Sequence, residues 1–160
     1  FIQKLARDFA QKEMAPVAAE YDREAKFPWP VVRKAFEVGL LSTIIPEENG
    51  GAGADALTEC IIAEELFSGC AGMGTTILAN NLALAPIVIG GSAEQKERFL
   101  RPFTEVPILS SFCLTEPGAG SDAAGLRTRA VRDGDHYILN GDKRFITNGG
   151  VASQYTVFAT

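Results

Sequence analysis

The sequence is poor in the residues that build metal centres and disulfide frameworks. It holds one histidine, His136, and three cysteines, Cys60, Cys70 and Cys113, with no C-x-x-C spacing. A multi-histidine metal site is thereby excluded, and a disulfide scaffold or zinc knuckle is disfavoured. A serine-type triad would have to rest on His136 alone. Free thiols of this kind suit a reducing compartment. Basic excess is lacking as well: 15 Lys and Arg stand against 20 Asp and Glu, a net charge of −5. That balance argues against a nucleic-acid partner, whose phosphates are met mainly by Lys and Arg. Long hydrophobic runs are scarce. The most apolar stretch, Leu82 to Ile89, is too short to cross a bilayer and contains Pro86, so no membrane span is expected. No secretory signal pattern is present.

What the 160 residues do contain is 46% hydrophobic and 22% charged side chains, the composition of one globular domain able to bury roughly two-thirds of its unfolded surface. Disorder, collagen and coiled coil are excluded. The chain opens with Phe1 rather than Met and stops at Thr160 inside the alternating run from Tyr155, which reads as a strand. A fragment of a longer protein is expected.

Up to residue 105 the apolar positions recur at helical spacing. Ile2, Leu5, Ala6 and Phe9 form one face of a first helix that Val17 and Tyr21 extend past a kink at Pro16. Pro30 suits the first turn of a second helix with a stripe of Val32, Ala35 and Phe36 and a C-cap at Gly39. Asp55 caps a third carrying Ile61, Ile62, Leu66 and Phe67. Met73 to Ile89 is a core helix. Ser92 with Gln95 makes a capping box for a short charged helix that Pro102 ends.

After residue 106 the period becomes two. Ile108 to Thr115, Arg127 to Arg132, His136 to Asn140, Arg144 to Asn148 and Gln154 to Ala159 are strand-length runs, with hairpin turns expected at Asp133-Gly134, Asn140-Gly141 and Gly149-Gly150. The predicted fold class is α+β: a helical domain over 1–105, then the start of an antiparallel β-barrel-like domain over 106–160. Charge divides with it. Ten basic and fifteen acidic side chains lie before residue 106, five of each after it, so an anionic ligand meets less repulsion in the second part.

One loop, Cys113-Leu-Thr-Glu-Pro-Gly-Ala-Gly-Ser-Asp-Ala-Ala-Gly125, stands out. Gly118, Gly120 and Gly125 let backbone amides approach a ligand, and Ser121 adds a hydroxyl, which is equipment for phosphate oxygens. It is not the G-x-G-x-x-G dinucleotide fingerprint, and a ligand-free strand connection is the plainer account. The run Phe145-Ile146-Thr147-Asn148-Gly149-Gly150 supplies a second threonine that with Thr115 suits a flat, hydrogen-bonding ring such as a flavin, walled by an aromatic side chain.

These two runs, with Ile45-Pro-Glu-Glu-Asn-Gly-Gly51 and the stretch from Asn140 to Gly150, resemble the acyl-CoA dehydrogenases, the medium- and short-chain members most nearly. The resemblance covers all 160 residues. It implies an N-terminal helical domain, part of a middle β domain, and a C-terminal helical domain absent from this chain. It further implies FAD as cofactor, contacted by Phe112, Cys113, Leu114, Thr115, Gly120, Ser121, Phe145, Ile146 and Thr147, with Thr115 on the flavin ring and Thr147 near N5. Phe145 stands where the family more often has Trp, a change that keeps an aromatic wall and loses an indole N–H. Ser121 would also lie near the CoA pantetheine or phosphates, while Met73, Gly74, Leu78 and Leu82 match the acyl-pocket helix, where a packed core and an apolar cavity make the same demand.

The activity implied is α,β-dehydrogenation of an acyl-CoA thioester to the trans-2-enoyl-CoA, within fatty-acid β-oxidation. The catalytic carboxylate lies in the C-terminal domain, so no catalytic residue and no metal ligand are expected here, and the isolated piece is expected to be inactive. An electron-transferring flavoprotein as electron acceptor, a homotetramer, and residence in the mitochondrial matrix or bacterial cytoplasm follow from the resemblance. An acyl-CoA oxidase of the same fold and a non-catalytic product that binds CoA or a protein are the alternatives.

The remaining candidates have plainer readings. Glu116 reads as a solvated or capping loop carboxylate rather than a base. His136 reads as a surface residue, and Cys113 as a buried structural thiol. Arg127, Arg129, Arg132, Lys143 and Arg144, interleaved with aspartates, read as a solvated hairpin face, contact with CoA phosphates being the sharper alternative.

Overall fold

A computed structural model describes residues 1–160. Seven α-helices come first: α1 (Ile2–Phe9), α2 (Ala15–Glu24), α3 (Trp29–Glu37), α4 (Ala56–Gly69), α5 (Ala71–Gly90), α6 (Ala93–Leu100) and α7 (Pro102–Glu105). Four short strands follow: β1 (Ser110–Cys113), β2 (Arg129–Asp133), β3 (His136–Asn140) and β4 (Gln154–Val157).

The helix boundaries follow local chemistry. The Thr58 amide donates to Asp55 Oδ1 at 2.8 Å, which caps α4. At the start of α6 the Gln95 amide donates to Ser92 Oγ and the Ser92 amide to Gln95 Oε1, a complete capping box. Gly39, at φ 75°, lets the Leu40 amide turn back to the Ala35 carbonyl and close α3. The kink expected at Pro16 is a π-helical turn, Ala10–Met14, in which the Ala15 amide reaches the Ala10 carbonyl. The wider turn absorbs the N–H that Pro16 lacks, and the chain continues as α2. Pro102, expected to end the charged helix, opens α7 after a single intervening residue.

Two apolar clusters hold the helices. The larger joins Ala6, Phe9 and Met14 to Val32 and Ala35 of α3, Ile62 and Leu66 of α4, Met73 and Ile77 of α5, and Leu109. The smaller packs Ile45, Leu84, Leu100 and Phe103. Each fully buried aliphatic side chain contributes about 1.5–3 kcal/mol by the area it removes from water. Helix α5 is 20 residues long, and by length and composition alone would match a membrane span, so the apolar segment is longer than the Leu82 to Ile89 run. Its packing against α4, α6 and β1 and its buried, hydrogen-bonded Asn80 and Asn81 identify it as the central core helix. Pro86 lies inside it without ending it.

Asn80 also docks the sheet. Its Nδ2 donates to Ser42 Oγ and the Ile108 carbonyl, each at 3.0 Å, and its Oδ1 accepts the Ser110 amide at 2.7 Å. From there β1 pairs with β4 in parallel, Ser110 opposite Gln154, while β2 and β3 form an antiparallel hairpin, Asp133 opposite His136. The Asp133-Gly134 turn is the hairpin expected. Asn140-Gly141 and Gly149-Gly150 are not hairpins, because the chain leaves β3 without an antiparallel successor and reaches β4 from a turn. Arg144 to Asn148 is not a strand either. Phe145 at φ 57° and Asn148 at φ 63° place two left-handed residues where the alternation suggested a pleat.

Candidate functional site

Between α5 and the end of β1 lies a cleft of about 490 Å³. One wall is helical: Phe67 from α4 and Thr75, Leu78, Ala79 and Leu82 from α5. The other is backbone-rich: Phe112, Leu114 and Thr115 leaving β1, with Phe145 and Thr147 from the turn before β4. Seven of the ten lining residues are hydrophobic and the other three are threonines, Thr75 on the helical wall and Thr115 and Thr147 on the other, an apolar body with a few polar groups, the usual construction of a small-molecule site. Leu82 is 55% exposed and Phe145 81% exposed, and neither is used by the core.

Of the residues singled out in the sequence, Phe112, Leu114, Thr115, Phe145, Thr147, Leu78 and Leu82 converge here. Met73 and Gly74 do not. Met73 is packed into the main core and Gly74 is buried against the Phe67 ring, because α5 turns that side toward α4. Ile146 and Ser121 also lie outside the cleft lining, Ser121 exposed on the loop. Cys113 points inward, its Sγ 3.9 Å from the Ser111 carbonyl, and burial pushes the thiol pKa up, so it is a structural thiol rather than a nucleophile. His136 is exposed at the hairpin turn.

The polar wall is held by hydrogen bonds between segments distant in sequence. Phe158 N–H donates to the Cys113 carbonyl at 3.1 Å and Arg144 N–H to the Thr115 carbonyl at 2.9 Å. Between them, Lys143 Nζ donates to the Leu114 carbonyl at 3.0 Å. Ser111 Oγ donates to the Thr147 carbonyl at 2.9 Å. Asn148 Nδ2 reaches the Thr76 carbonyl of α5 at 3.0 Å, tying the second segment to the helical wall. The Arg144 guanidinium lies 4.6 Å from the centre of the Phe145 ring.

Of the two readings given to Glu116, solvated or capping, the structure takes the second. Glu116 is buried and accepts the Arg127 amide at 2.7 Å, the Thr128 amide at 3.0 Å and Lys143 Nζ at 2.8 Å. These contacts, Lys143 first, hold its pKa down to about 2. The carboxylate cinches the glycine-rich loop from Glu116 to Thr128. Lys143 is thereby removed from the solvated basic face, whereas Arg127, Arg129, Arg132 and Arg144 remain exposed. Sequence reasoning missed Phe67, Thr75 and Ala79 in the lining, the inward turn of Lys143 and the bridging Asn148. Phe67 had a signal, as one of the apolar residues read on α4.

Two glycines in that loop bear on a cofactor. Gly118 and Gly120 have ordinary φ values, and a Cβ on either would meet nothing within 4 Å. Neither backbone conformation nor packing inside this chain demands glycine there, which leaves room for something to approach the backbone closely. Gly51 and Gly141 differ: a Cβ would come within 2.1 Å of the Ile45 carbonyl oxygen and 2.4 Å of Thr128 Oγ1 respectively.

Comparison with known proteins finds a match to the acyl-CoA dehydrogenase N-terminal domain over residues 1–106 and to the acyl-CoA dehydrogenase middle domain over 111–160. The chain is 42% identical over 158 residues to a probable medium-chain specific acyl-CoA dehydrogenase of Caenorhabditis briggsae, and 45% identical over 160 residues to the short-chain specific acyl-CoA dehydrogenase of Rattus norvegicus, both named as mitochondrial. It covers 99% of its own length in each case and 39% of theirs. Among solved structures, butyryl-CoA dehydrogenase from Megasphaera elsdenii superimposes with a TM-score of 0.88 at 40% identity, over 99% of this chain and 43% of that one. A glutaryl-CoA dehydrogenase from Mycobacterium smegmatis in complex with FADH2 gives 0.90 at 32% identity, over 99% and 41%.

Proposed function

This chain belongs to the acyl-CoA dehydrogenase family, and from that premise we propose that it supplies the helical domain, residues 1–105, and the first part of the β domain, 106–160, of an FAD-dependent enzyme converting acyl-CoA thioesters to trans-2-enoyl-CoA. The observation that carries the proposal is the cleft itself, in which Leu78 and Leu82 of α5 face Thr115, Phe145 and Thr147 across an apolar space. Two threonines beside an aromatic face suit a flavin, and the leucines suit an acyl tail. The glutaryl-CoA dehydrogenase relative in complex with FADH2 supports the same cofactor.

When bound, FAD supplies a two-electron acceptor for the hydrogen leaving the β-carbon. The chain's own residues would hold and shield it. Thr115 and Thr147 would offer hydrogen bonds to the ring, Thr147 on the N5 side. Phe145 would exclude water from one face, and the open backbone at Gly118 and Gly120 would admit the phosphate-bearing parts of the ligands, with Ser121 adding a hydroxyl. Leu78 and Leu82 would set the depth available to the acyl chain. Glu116 does not serve as the base that takes the α-proton, since both its oxygens are engaged and its carboxylate is ion-paired inside the loop. That base is assigned to the part of the protein beyond this chain.

The test is anaerobic titration of the full-length protein with butyryl-, hexanoyl-, octanoyl- and decanoyl-CoA. Bleaching of a bound flavin together with formation of the enoyl thioester is expected, and a protein that takes up no FAD overturns the reading. Reoxidation by an electron-transferring flavoprotein rather than by oxygen separates a dehydrogenase from an oxidase. The mitochondrial relatives and the bacterial structures support residence in the mitochondrial matrix or bacterial cytoplasm.

A further inference from the structure

Three consecutive carbonyls span the end of β1 and the residues that follow it, and each is held by a different donor. Cys113 is paired by the Phe158 N–H in the manner of a strand, and Thr115 by the Arg144 N–H. Leu114, between them, has its carbonyl held by a side chain, the Lys143 ammonium, at 3.0 Å. The same nitrogen donates to Glu116 Oε1 at 2.8 Å. Lys143 is only 13% exposed and Glu116 5%, whereas the flanking Asp142, Arg144 and Phe145 are exposed. A lysine between solvated neighbours has turned inward to bind the opposite segment.

A buried ion pair is a poor device for stability alone. Desolvation offsets much of the attraction, and apolar replacements of similar volume are often neutral or better. What the ammonium provides that an apolar side chain cannot is a point charge with several donors. It satisfies a carbonyl and a carboxylate on one segment while its own backbone continues into the other wall. The spacing between the two segments is then set by two hydrogen bonds at one nitrogen.

We propose that Lys143 is a positioning residue: through its bonds to the Leu114 carbonyl and to Glu116 it sets the separation and tilt of Leu114–Thr115 against Phe145–Thr147, and hence how the two threonines meet the ring held between them. The proposal rests on the cleft being the flavin and acyl-CoA site. Lys143 is not among the residues that line the cleft. Its effect on the reaction is geometric, carried by the backbone it fixes.

The experiment compares wild type, Lys143→Met, Glu116→Gln and the double variant in the full-length, FAD-loaded protein. Thermal midpoint, flavin visible spectrum and midpoint potential, and the rate of flavin reduction by the acyl-CoA that bleaches the wild type fastest are read on each. Lys143→Met leaves the Glu116 carboxylate without its counter-ion and is expected to lower Tm; the double variant removes that charge and recovers part of the loss, because the glutamine oxygen replaces only one of the two carboxylate oxygens that accept the Arg127 and Thr128 amides. A positioning role predicts that reduction stays slower by on the order of tenfold to a hundredfold in both, with a displaced flavin spectrum and little change in KM. If the double variant recovers wild-type rate and spectrum along with that part of its Tm, Lys143 is structural only and the proposal fails. A wild type that takes up FAD but a Lys143→Met protein with unaltered reduction also overturns it while leaving the cleft assignment intact. Failure of the wild type to take up FAD removes the assignment and the proposal together.

Discussion

The helical and strand regions are held together by different means. In the first, one apolar cluster, thirteen of whose fourteen residues precede residue 106 with Leu109 the exception, and a second of four account for the packing. In the second, apolar side chains lie largely outside any core: every residue of β3 is exposed, with Val131, Tyr137, Ile138 and Leu139 among the open surfaces. Its order comes from buried polar clamps at Glu116, Lys143 and Asn148. The cleft lies on the seam. Substitutions in the helices should therefore register as lost stability, and substitutions among the clamps as altered cleft geometry beyond whatever stability they lose.

The largest effect that tests this contrast is Leu66→Ala. A fully buried leucine in the main cluster should cost about 2–5 kcal/mol, read as a fall in denaturant midpoint with one cooperative transition. A loss below about 1 kcal/mol would show that the helices do not depend on that cluster.

Acid should separate the regions next. The Glu116 pKa in the folded protein, about 2, lies below that of an unfolded glutamate, about 4.3. Its contribution is therefore complete above the unfolded value and disappears as pH falls from there through 2. Hydrogen exchange is expected to show the Arg127 and Thr128 amides losing protection over that window, and Glu116→Gln should flatten the dependence. Glu65, lowered chiefly by its hydrogen bond to Arg7, moves the same way in the helical region, so α1 against α4 is the internal control: protection there should be insensitive to Glu116→Gln.

On the cleft side, Thr147→Val in the full-length protein should slow flavin reduction by about tenfold or more, because one hydrogen bond to a developing charge is worth about 1.5–3 kcal/mol. Rapid-mixing kinetics check it. An unchanged rate removes Thr147 from the flavin. Leu78, half-buried and shared by core and cleft, tests the seam itself: Leu78→Ala should move the preferred acyl-CoA toward longer chains by roughly one or two carbons, each methylene counting about 0.8 kcal/mol. A lower Tm with chain-length preference unmoved assigns Leu78 to the core instead. The smallest effect, about 1 kcal/mol, belongs to Ser92→Ala, which removes the α6 cap at the surface and leaves the cleft untouched.

What could be read in the sequence follows the same division. Helix starts and stops at Asp55, Ser92 and Gly39 are written in two or three adjacent residues, and so is the Asp133-Gly134 hairpin. The parallel partnership of β1 and β4 is not, since Ser110 and Gln154 are 44 positions apart with nothing local to announce the pairing. The alternation of Arg144 to Asn148 misled because a period of two says nothing about the sign of φ at Phe145 and Asn148. Half of the site residues on the two recognisable runs, Leu114, Thr115, Phe145 and Thr147, met in one cleft, but the lysine that joins the runs was hidden in a basic cluster whose other members face solvent.

The distance between β1 and β4 has a consequence in time. During synthesis at about 5–20 residues per second, β1 waits roughly 2–9 seconds for the strand that completes it. Through that interval one edge of its backbone has no partner, an open invitation to other chains. Its composition limits the danger. The strand is only four residues long and half serine, and its Ser110 amide bonds to Asn80 of α5, a partner that precedes it in the chain and is made before it, so the edge left waiting for β4 is short and polar.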